Sequence, residues 1–327
     1  MHNKKNSKTV CVIGGGRWGR NHIKTLFEMG NLGGIVESDE QELEKLLQIY
    51  PVEGFKDIND AFLHEFDGFI VATPAETHYN LGREIIERGN NVLIEKPLTL
   101  SLDDSREIVE LAEKKNVRLM VGHLLLFHPV IRKIKELVDS GKVGQLYYLY
   151  STRLKLGTVR TEENVFWSFA PHDISVLDFI IGKPSIEIRA IGGKYLQDGI
   201  EDFVMTQLIY PDNIRAHIFV SWLHPFKEQR LVVIGSEGMI SFDDASEDKR
   251  IHFYNKRIDI ENGIPRIHEN ADETIGYAGS QPLHNELQYF IDNLDNNIEI
   301  ADGMSGLEVV RVLEKVQELL KSSHWRK

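Results

Sequence analysis

Two side chains of this 327-residue sequence stand where they could move a proton, Lys96 and His172. Lys96 follows the run Val92-Leu93-Ile94-Glu95 directly, so its amine sits at the end of an apolar strand rather than in open solvent. Partial burial there, and a cationic ring bound beside it, would both favour the free amine that can accept a proton. Pro97 fixes the next turn, and an X–Pro bond is where a cis peptide is tolerated. His172 lies in FAPHDISVLDFIIG, where Pro171, Asp173, Ile174, Leu177 and Phe179 read as the start of a helix. That start would put the imidazole at the mouth of a substrate module, suited to taking a hydroxyl proton near neutral pH, while Asp173 reads as a carboxylate at a helix N-terminus. The competing readings are a strand-end surface lysine and a capping or core histidine.

A proton acceptor at a carbinol needs a hydride acceptor beside it, and TVCVIGGGRWG, Thr9 to Gly19, offers one. Its glycines fit GxGxxG at Gly14, Gly16 and Gly19. Such a turn after a strand lets a backbone approach a pyrophosphate over a helix N-terminus. Arg17 and Trp18 head that helix. A second strand-like run ends in Glu37, at the distance where a carboxylate meets both hydroxyls of an adenosine ribose and repels a 2′-phosphate. The expected cofactor is therefore NAD rather than NADP, although Arg17 could also serve a phosphate.

The elements that must position these groups divide the chain. Strands are expected at Thr9–Gly14, Gly34–Glu37, Gly68–Ala72, Asn91–Glu95 and Arg118–Gly122, with helices between them: a Rossmann-type, doubly wound parallel sheet over 1–122. Ligands of such sheets bind beyond the C-terminal strand ends. That rule singles out Thr73, Pro74 and His78 after the third strand, Glu95, Lys96 and Pro97 after the fourth, and His123 after the fifth. From 123 to 300 the pattern changes to long alternating segments at Gly144–Leu154, Ser185–Gly192, Asp202–Tyr210, Ile214–Leu223 and Gln229–Ile234. These predict an α+β domain with a large, mostly antiparallel open sheet, a helix near His172 to Ile181 packed on it, and a face for self-association. The acidic stretch from Asp243 to Glu273 reads as exposed loops, and 304–321 as an amphipathic helix. Arg153, Lys155 and Arg160, on or just after the strand preceding His172, could hold a diphosphate or could equally line a solvated sheet edge. With His123, Trp167 and Asp173 they make up the expected substrate side.

Composition narrows the classes. A formal charge of −12 with 42% hydrophobic residues is that of an ordinary globular protein, not of a generic nucleic-acid or anionic-membrane binder. Cys11 is the only cysteine, which leaves neither a disulfide nor a thiolate metal site within one chain. Scattered histidines without ligand spacing give no support to a metal centre. MHNKKNSK is basic but has no apolar stretch of signal length, and the expected location is the cytoplasm.

The segments VCVIGGGRWG, VATPAETHY, VLIEKPLTL, VGHLLLFHPV and HDISVLDFIIG, in this order, resemble the Gfo/Idh/MocA family of sugar and polyol oxidoreductases. The resemblance runs from about Val10 to Leu320. It implies a dinucleotide half, an α/β half with an open sheet that pairs subunits into homodimers or homotetramers, and a last helix, within 301–327, returning to the dinucleotide domain. It places the family's catalytic lysine on Lys96 and its active-site histidine on His172. Two positions depart: Ser168 stands where many members carry an Asp four residues before the histidine, and Leu125 and Leu126 replace a usual positive charge. A serine cannot act as a carboxylate relay, so Lys96 and His172 would share the proton work. The form ENVFWSFAPHDIS is similar to the branch that oxidises C3 of a UDP-N-acetylhexosamine for surface-polysaccharide or lipid synthesis. A free-sugar or inositol dehydrogenase, and a nonenzymatic NAD-binding regulator, are the rival implications.

Overall fold

The computed structural model describes residues 8–279 and 281–322. Most of the basic N-terminal segment and the last five residues lie outside them. The chain forms two compact units, 8–127 with 281–310, and 128–279 with 311–322.

The first unit is built on a six-stranded parallel sheet, β1 Val10–Ile13, β2 Leu32–Val36, β3 Glu53–Phe55, β4 Gly68–Val71, β5 Val92–Glu95 and β6 Leu119–Gly122, in the order 3-2-1-4-5-6. Helices α1 Arg17–Met29, α2 Glu40–Ile49, α3 Ile58–Ala61, α4 His78–Glu87 and α5 Leu102–Lys115 make the crossovers. Strands β1, β4 and β6 are buried at every position, as their uninterrupted apolar sequences require of a sheet covered on both faces. The strand order reverses between β1 and β4, which opens a crevice at their C-terminal ends. β3 was not expected from the sequence; three residues carry no legible alternation.

The expected boundary at residue 122 falls short of the compact unit, which continues through Phe127. The turn Leu124–Phe127 packs under a helix that comes much later in the chain, Pro282–Asp292. Beyond that helix, Asp302 bridges to Met120 at the β6 edge, and Val121 donates to the Ala301 carbonyl at 2.7 Å.

The second unit contains α6 Pro129–Asp139 and α7 Val165–Ile181, and strands β7 Leu146–Leu154, β8 Glu187–Gly193, β9 Phe203–Ile209, β10 Arg215–Ser221, β11 Glu228–Gly235, β12 Met239–Asp243, β13 Ile251–Tyr254, β14 Lys256–Glu261, β15 Ile264–Glu269 and β16 Glu273–Ile275. Eight of these strands form one sheet, ordered 16-13-12-11-7-10-9-8, in which only β7 and β10 run parallel. Helix α7 packs on one face, over β10, β7 and β9. The stretch from Asp243 to Glu273 is not loop: Ile251 and Phe253 turn into the core, and β14 pairs with β15 as a separate hairpin. The two remaining helices are α8 Pro282–Asp292, in the first unit, and α9 Gly303–Ser322, whose residues through Val310 belong to the first unit and the rest to the second.

Candidate active site

In the first unit, a cleft of ≈ 640 Å³ opens at the C-terminal ends of β1, β2, β4 and β5. It is lined by Gly14, Gly16, Arg17, Trp18, Glu37, Thr73, Pro74, His78, Glu95 and Lys96, so the structure brings together every residue expected on the cofactor side. The glycine turn has separable parts. Gly14 has φ +101°, and a Cβ there would stand 2.9 Å from the Ala72 carbonyl oxygen. At Gly19 a Cβ would overlap the carbonyl of Gly14 outright, which is how closely α1 returns to the turn. At Gly16 it would meet nothing within 4 Å. Gly16 is the N-cap of α1 and offers no side-chain cap, so the first N–H groups of the helix face the cleft as an anion site.

Glu37 is pinned over this turn. Oε2 accepts the Gly15 N–H at 2.6 Å and keeps a lone pair for a further donor, while Oε1 accepts the Asp39 N–H at 3.0 Å and, more weakly, the Ser38 hydroxyl at 3.4 Å. Such a carboxylate fits a ribose diol, and the residues present therefore fit a dinucleotide. Ser38, Lys56, Asp57 and Ile58 also line the cleft. Sequence reasoning missed the last three because they follow β3. Lys56 is ion-paired with Glu40.

Lys96 sits on the cleft wall, and the Lys96–Pro97 peptide is cis. His78, 1% exposed, holds this turn from behind: its two ring nitrogens lie 2.8 Å from the Pro97 carbonyl and 3.0 Å from the Thr73 carbonyl. Its ring thus sits between the β5 and β4 exits. Glu95 bonds the buried ring of His22 at 2.8 Å and accepts the Lys96 N–H at 3.2 Å. Burial alone would raise the Glu95 carboxyl; the bond and charge of His22, with the charge of Lys96, outweigh it and hold the group below its ordinary range. His123, expected against substrate, is instead fully buried behind this wall.

In the second unit the helix carrying His172 begins seven residues earlier than its Pro171 suggested. Asn164 is its N-cap, accepting the N–H groups of Phe166 and Trp167 at 3.1 Å. The Asn164 amide in turn donates to Glu201 and Gln317, both at 2.8 Å. Ser168 and His172 are therefore one helical turn apart within α7, and His172 lies past the first turn rather than at the helix start. Pro171 lies inside the helix and leaves the Trp167 carbonyl without its helical donor.

Asp173 is likewise interior. It is buried and takes a forked bond from Arg153, Nε to Oδ2 at 2.9 Å and NH2 to Oδ1 at 3.1 Å, plus the Ser151 hydroxyl at 2.5 Å. Burial works against the Arg153 charge, but Asp173 more than offsets it and raises the guanidinium above its ordinary range. Two residues expected to meet substrate separately thus satisfy each other. Lys155 lies over the Phe169 ring at 5.1 Å, Arg160 is exposed, and Trp167 is half-buried on the first turn of α7. Among the described residues no three His, Cys, Asp or Glu side chains converge on a metal position, and no helix is long and apolar enough to cross a membrane.

Comparison with known proteins agrees with this geometry. Residues 8–123 match the family described as "Oxidoreductase family, NAD-binding Rossmann fold", and residues 131–241 match the GFO/IDH/MocA C-terminal domain. UDP-N-acetylglucosamine 3-dehydrogenase of Acidithiobacillus ferrooxidans is 23% identical over 308 residues, 94% of this chain and 95% of that protein. A solved structure of that enzyme aligns with a TM-score of 0.84 over 97% of this chain and 99% of its own, at 22% identity. The scyllo-inositol 2-dehydrogenase (NAD+) of Bacillus subtilis is 24% identical over 249 residues, 70% of this chain and 72% of that one. The WlbA dehydrogenase of Bordetella pertussis, solved with NADH and UDP-GlcNAcA, aligns with a TM-score of 0.78 at 19% identity, over 97% of both chains. The two matched domains cover most of the sequence, and the chain belongs to the Gfo/Idh/MocA family of oxidoreductases, with an NAD-binding Rossmann domain.

Proposed function

We propose that this protein oxidises a secondary hydroxyl of a nucleotide-linked sugar, C3 of UDP-N-acetylglucosamine, to the 3-keto sugar. The observation that carries the reading is Lys96: it lines a cleft that fits a dinucleotide, on a turn whose backbone is held by Glu95 through the Lys96 N–H and by His78 through the Pro97 carbonyl. Bound NAD supplies the hydride acceptor; the chain's own part is to orient the carbinol and take its proton, at Lys96 Nζ or at the His172 imidazole. With Ser168 in place of a carboxylate, Lys96 and His172 share that work. The choice of a UDP-sugar rests on the near full-length match to the 3-dehydrogenase, whereas the inositol 2-dehydrogenase of Bacillus subtilis matches over a shorter span.

Purified protein given NAD, a 2-oxoacid to recycle tightly held NADH, and a panel of UDP-sugars is expected to form a 3-keto product with UDP-N-acetylglucosamine. Turnover with free inositol and none with any UDP-hexosamine would replace the substrate class. Lys96→Ala is expected to lower turnover by a factor of 10² or more, the order associated with losing a proton-transfer group, while NAD still binds. Unchanged turnover removes Lys96 from that role.

The reading includes self-association through the outer face of the second sheet. There Thr152, Phe219, Met205 and Ile191 stand in register across β7, β10, β9 and β8, with Met205 43% and Ile191 48% exposed. Sedimentation is expected to give a dimer or tetramer that Met205→Lys weakens; a wild-type monomer at micromolar concentration rejects this part.

A further inference from the structure

At and behind the cleft wall stand four titratable residues from four elements of the first unit, three of them buried. His22 comes from α1, Glu95 from the end of β5, His123 from the exit of β6, and Glu286 from α8. His22, His123 and Glu286 are each 0% exposed, and of the four only Glu95 lines the cleft. Helix α8 packs against both α1 and the turn that follows His123. Glu95 is held against the same place: a Cβ on Gly122, the residue before His123, would stand 3.0 Å from its Oε2.

The hydrogen bonding is lopsided. Glu95 has His22 at 2.8 Å and the Lys96 N–H at 3.2 Å. Neither nitrogen of His123 and neither oxygen of Glu286 has a partner among the described residues. Unpaired buried polar groups cost stability, so two of them retained in the core behind one carboxylate ask for a function.

The electrostatics assign their states. A carboxyl buried without a partner and facing an ionised carboxylate keeps its proton. Glu95 has the cations and keeps the charge; burial and the Glu95 charge push Glu286 well above the ordinary carboxylate range. Burial likewise pushes His123 down to about 4, against the pull of Glu95 and together with the repulsion of Lys96. Near neutral pH the row reads neutral acid, neutral imidazole, one carboxylate and one lysine.

We propose that Glu286 and His123 are positioning residues for Lys96, acting through Glu95: uncharged and in contact with no solvent, they leave Glu95 as the single fixed negative charge that holds the lysine on the cleft wall. A second ionised carboxylate behind Glu95 would compete for the same cations. Polar but uncharged neighbours keep Glu95 ionised without adding a rival. This rests on the reading of Lys96 as the proton-transfer residue.

The test separates charge, polarity and packing at one position. In cofactor-free protein, Glu286→Gln should gain stability over wild type progressively as pH rises from about 5 to 8, because only the wild type must keep a proton that its unfolded chain releases. A difference that does not vary with pH overturns the neutral state. In the reaction, Glu286→Gln keeps the wild-type pH profile of kcat, whereas Glu286→Met lowers kcat at least tenfold, displaces that profile, and leaves the Kd of NAD within about twofold. If Met retains the wild-type kcat and profile, Glu286 only fills space; if Gln loses as much as Met, its proton rather than its position is used. Either result overturns the proposal. Should Glu286→Met fail to fold, His123→Gln against His123→Leu makes the same comparison. An active Lys96→Ala enzyme would end the reading of Lys96 while leaving the stability comparison intact, so the two failures are distinguishable.

Discussion

One added methyl group separates the two jobs of the glycine turn. At Gly19 it collides with the Gly14 carbonyl, so the backbone of α1 must move; at Gly16 it points into open space. Gly19→Ala is therefore expected to cost roughly 1–3 kcal/mol of folding stability, the range for overpacking a fixed backbone contact. Gly16→Val should leave the denaturation midpoint nearly unchanged and weaken NAD binding by tenfold or more, read by titration of cofactor fluorescence. Equal loss of stability in both variants would mean that the cleft side of the turn is not open. These residues were legible in the sequence because turn, helix start and acidic strand end are local and fall at fixed spacings. Arg153 and Asp173 were not. Each was visible as a charge, but their forked bond joins a strand to a helix twenty positions away. Nothing in the pattern says that a charge will be neutralised by another rather than offered to a ligand.

Helix α7 shows why element boundaries resist reading. Pro171 reads from the sequence as a first-turn proline, its commonest helical place, yet a stronger signal lies seven residues earlier in Asn164, a favoured N-cap residue. The structure uses the cap and tolerates the proline inside the helix. Asn164→Ala removes the cap and strands Glu201 and Gln317 from the amide they share. The loss should approach or exceed the upper end of the ~0.5–2 kcal/mol typical of N-caps, measured from urea midpoints, with Asn164→Asp recovering the cap alone. A loss of only a few tenths would show that packing, not capping, sets the start of α7. The hairpin β14–β15 was missed in a similar way. Its turn is Asn262-Gly263, both with positive φ, the strongest short hairpin signal there is, but it sat among enough acidic residues to read as loop. Acidity reported exposure correctly, with Ile258 and Ile267 both above 60% exposed, and said nothing about pairing.

At the scale of the whole molecule, the alternation of strand and helix and then the long alternating strands placed the chain in its fold class, because hydrophobic period reflects how many faces of a sheet are covered. The return of the last helix was expected from the family resemblance, and its residues through Val310 do belong to the first unit; what could not be seen was that 281–300, with helix α8, belongs there as well, packed on the turn that follows His123. The burial of His123 has a consequence for the pH at which the protein stays folded. An unfolded histidine takes up a proton near pH 6.5, whereas His123 in the fold does so only near 4. A depressed folded pKa means stability that is present above the unfolded value and lost as pH falls through the window between the two. Linkage gives about 2 kcal/mol lost between roughly pH 7 and pH 4.5 from this one ring. His123→Gln cannot take up that proton and should lose correspondingly less over the same interval, whatever its stability at neutral pH. Denaturant unfolding of both proteins at the two pH values checks it. Parallel losses would mean that His123 reaches a proton in the folded state, which burial behind the β6 exit forbids.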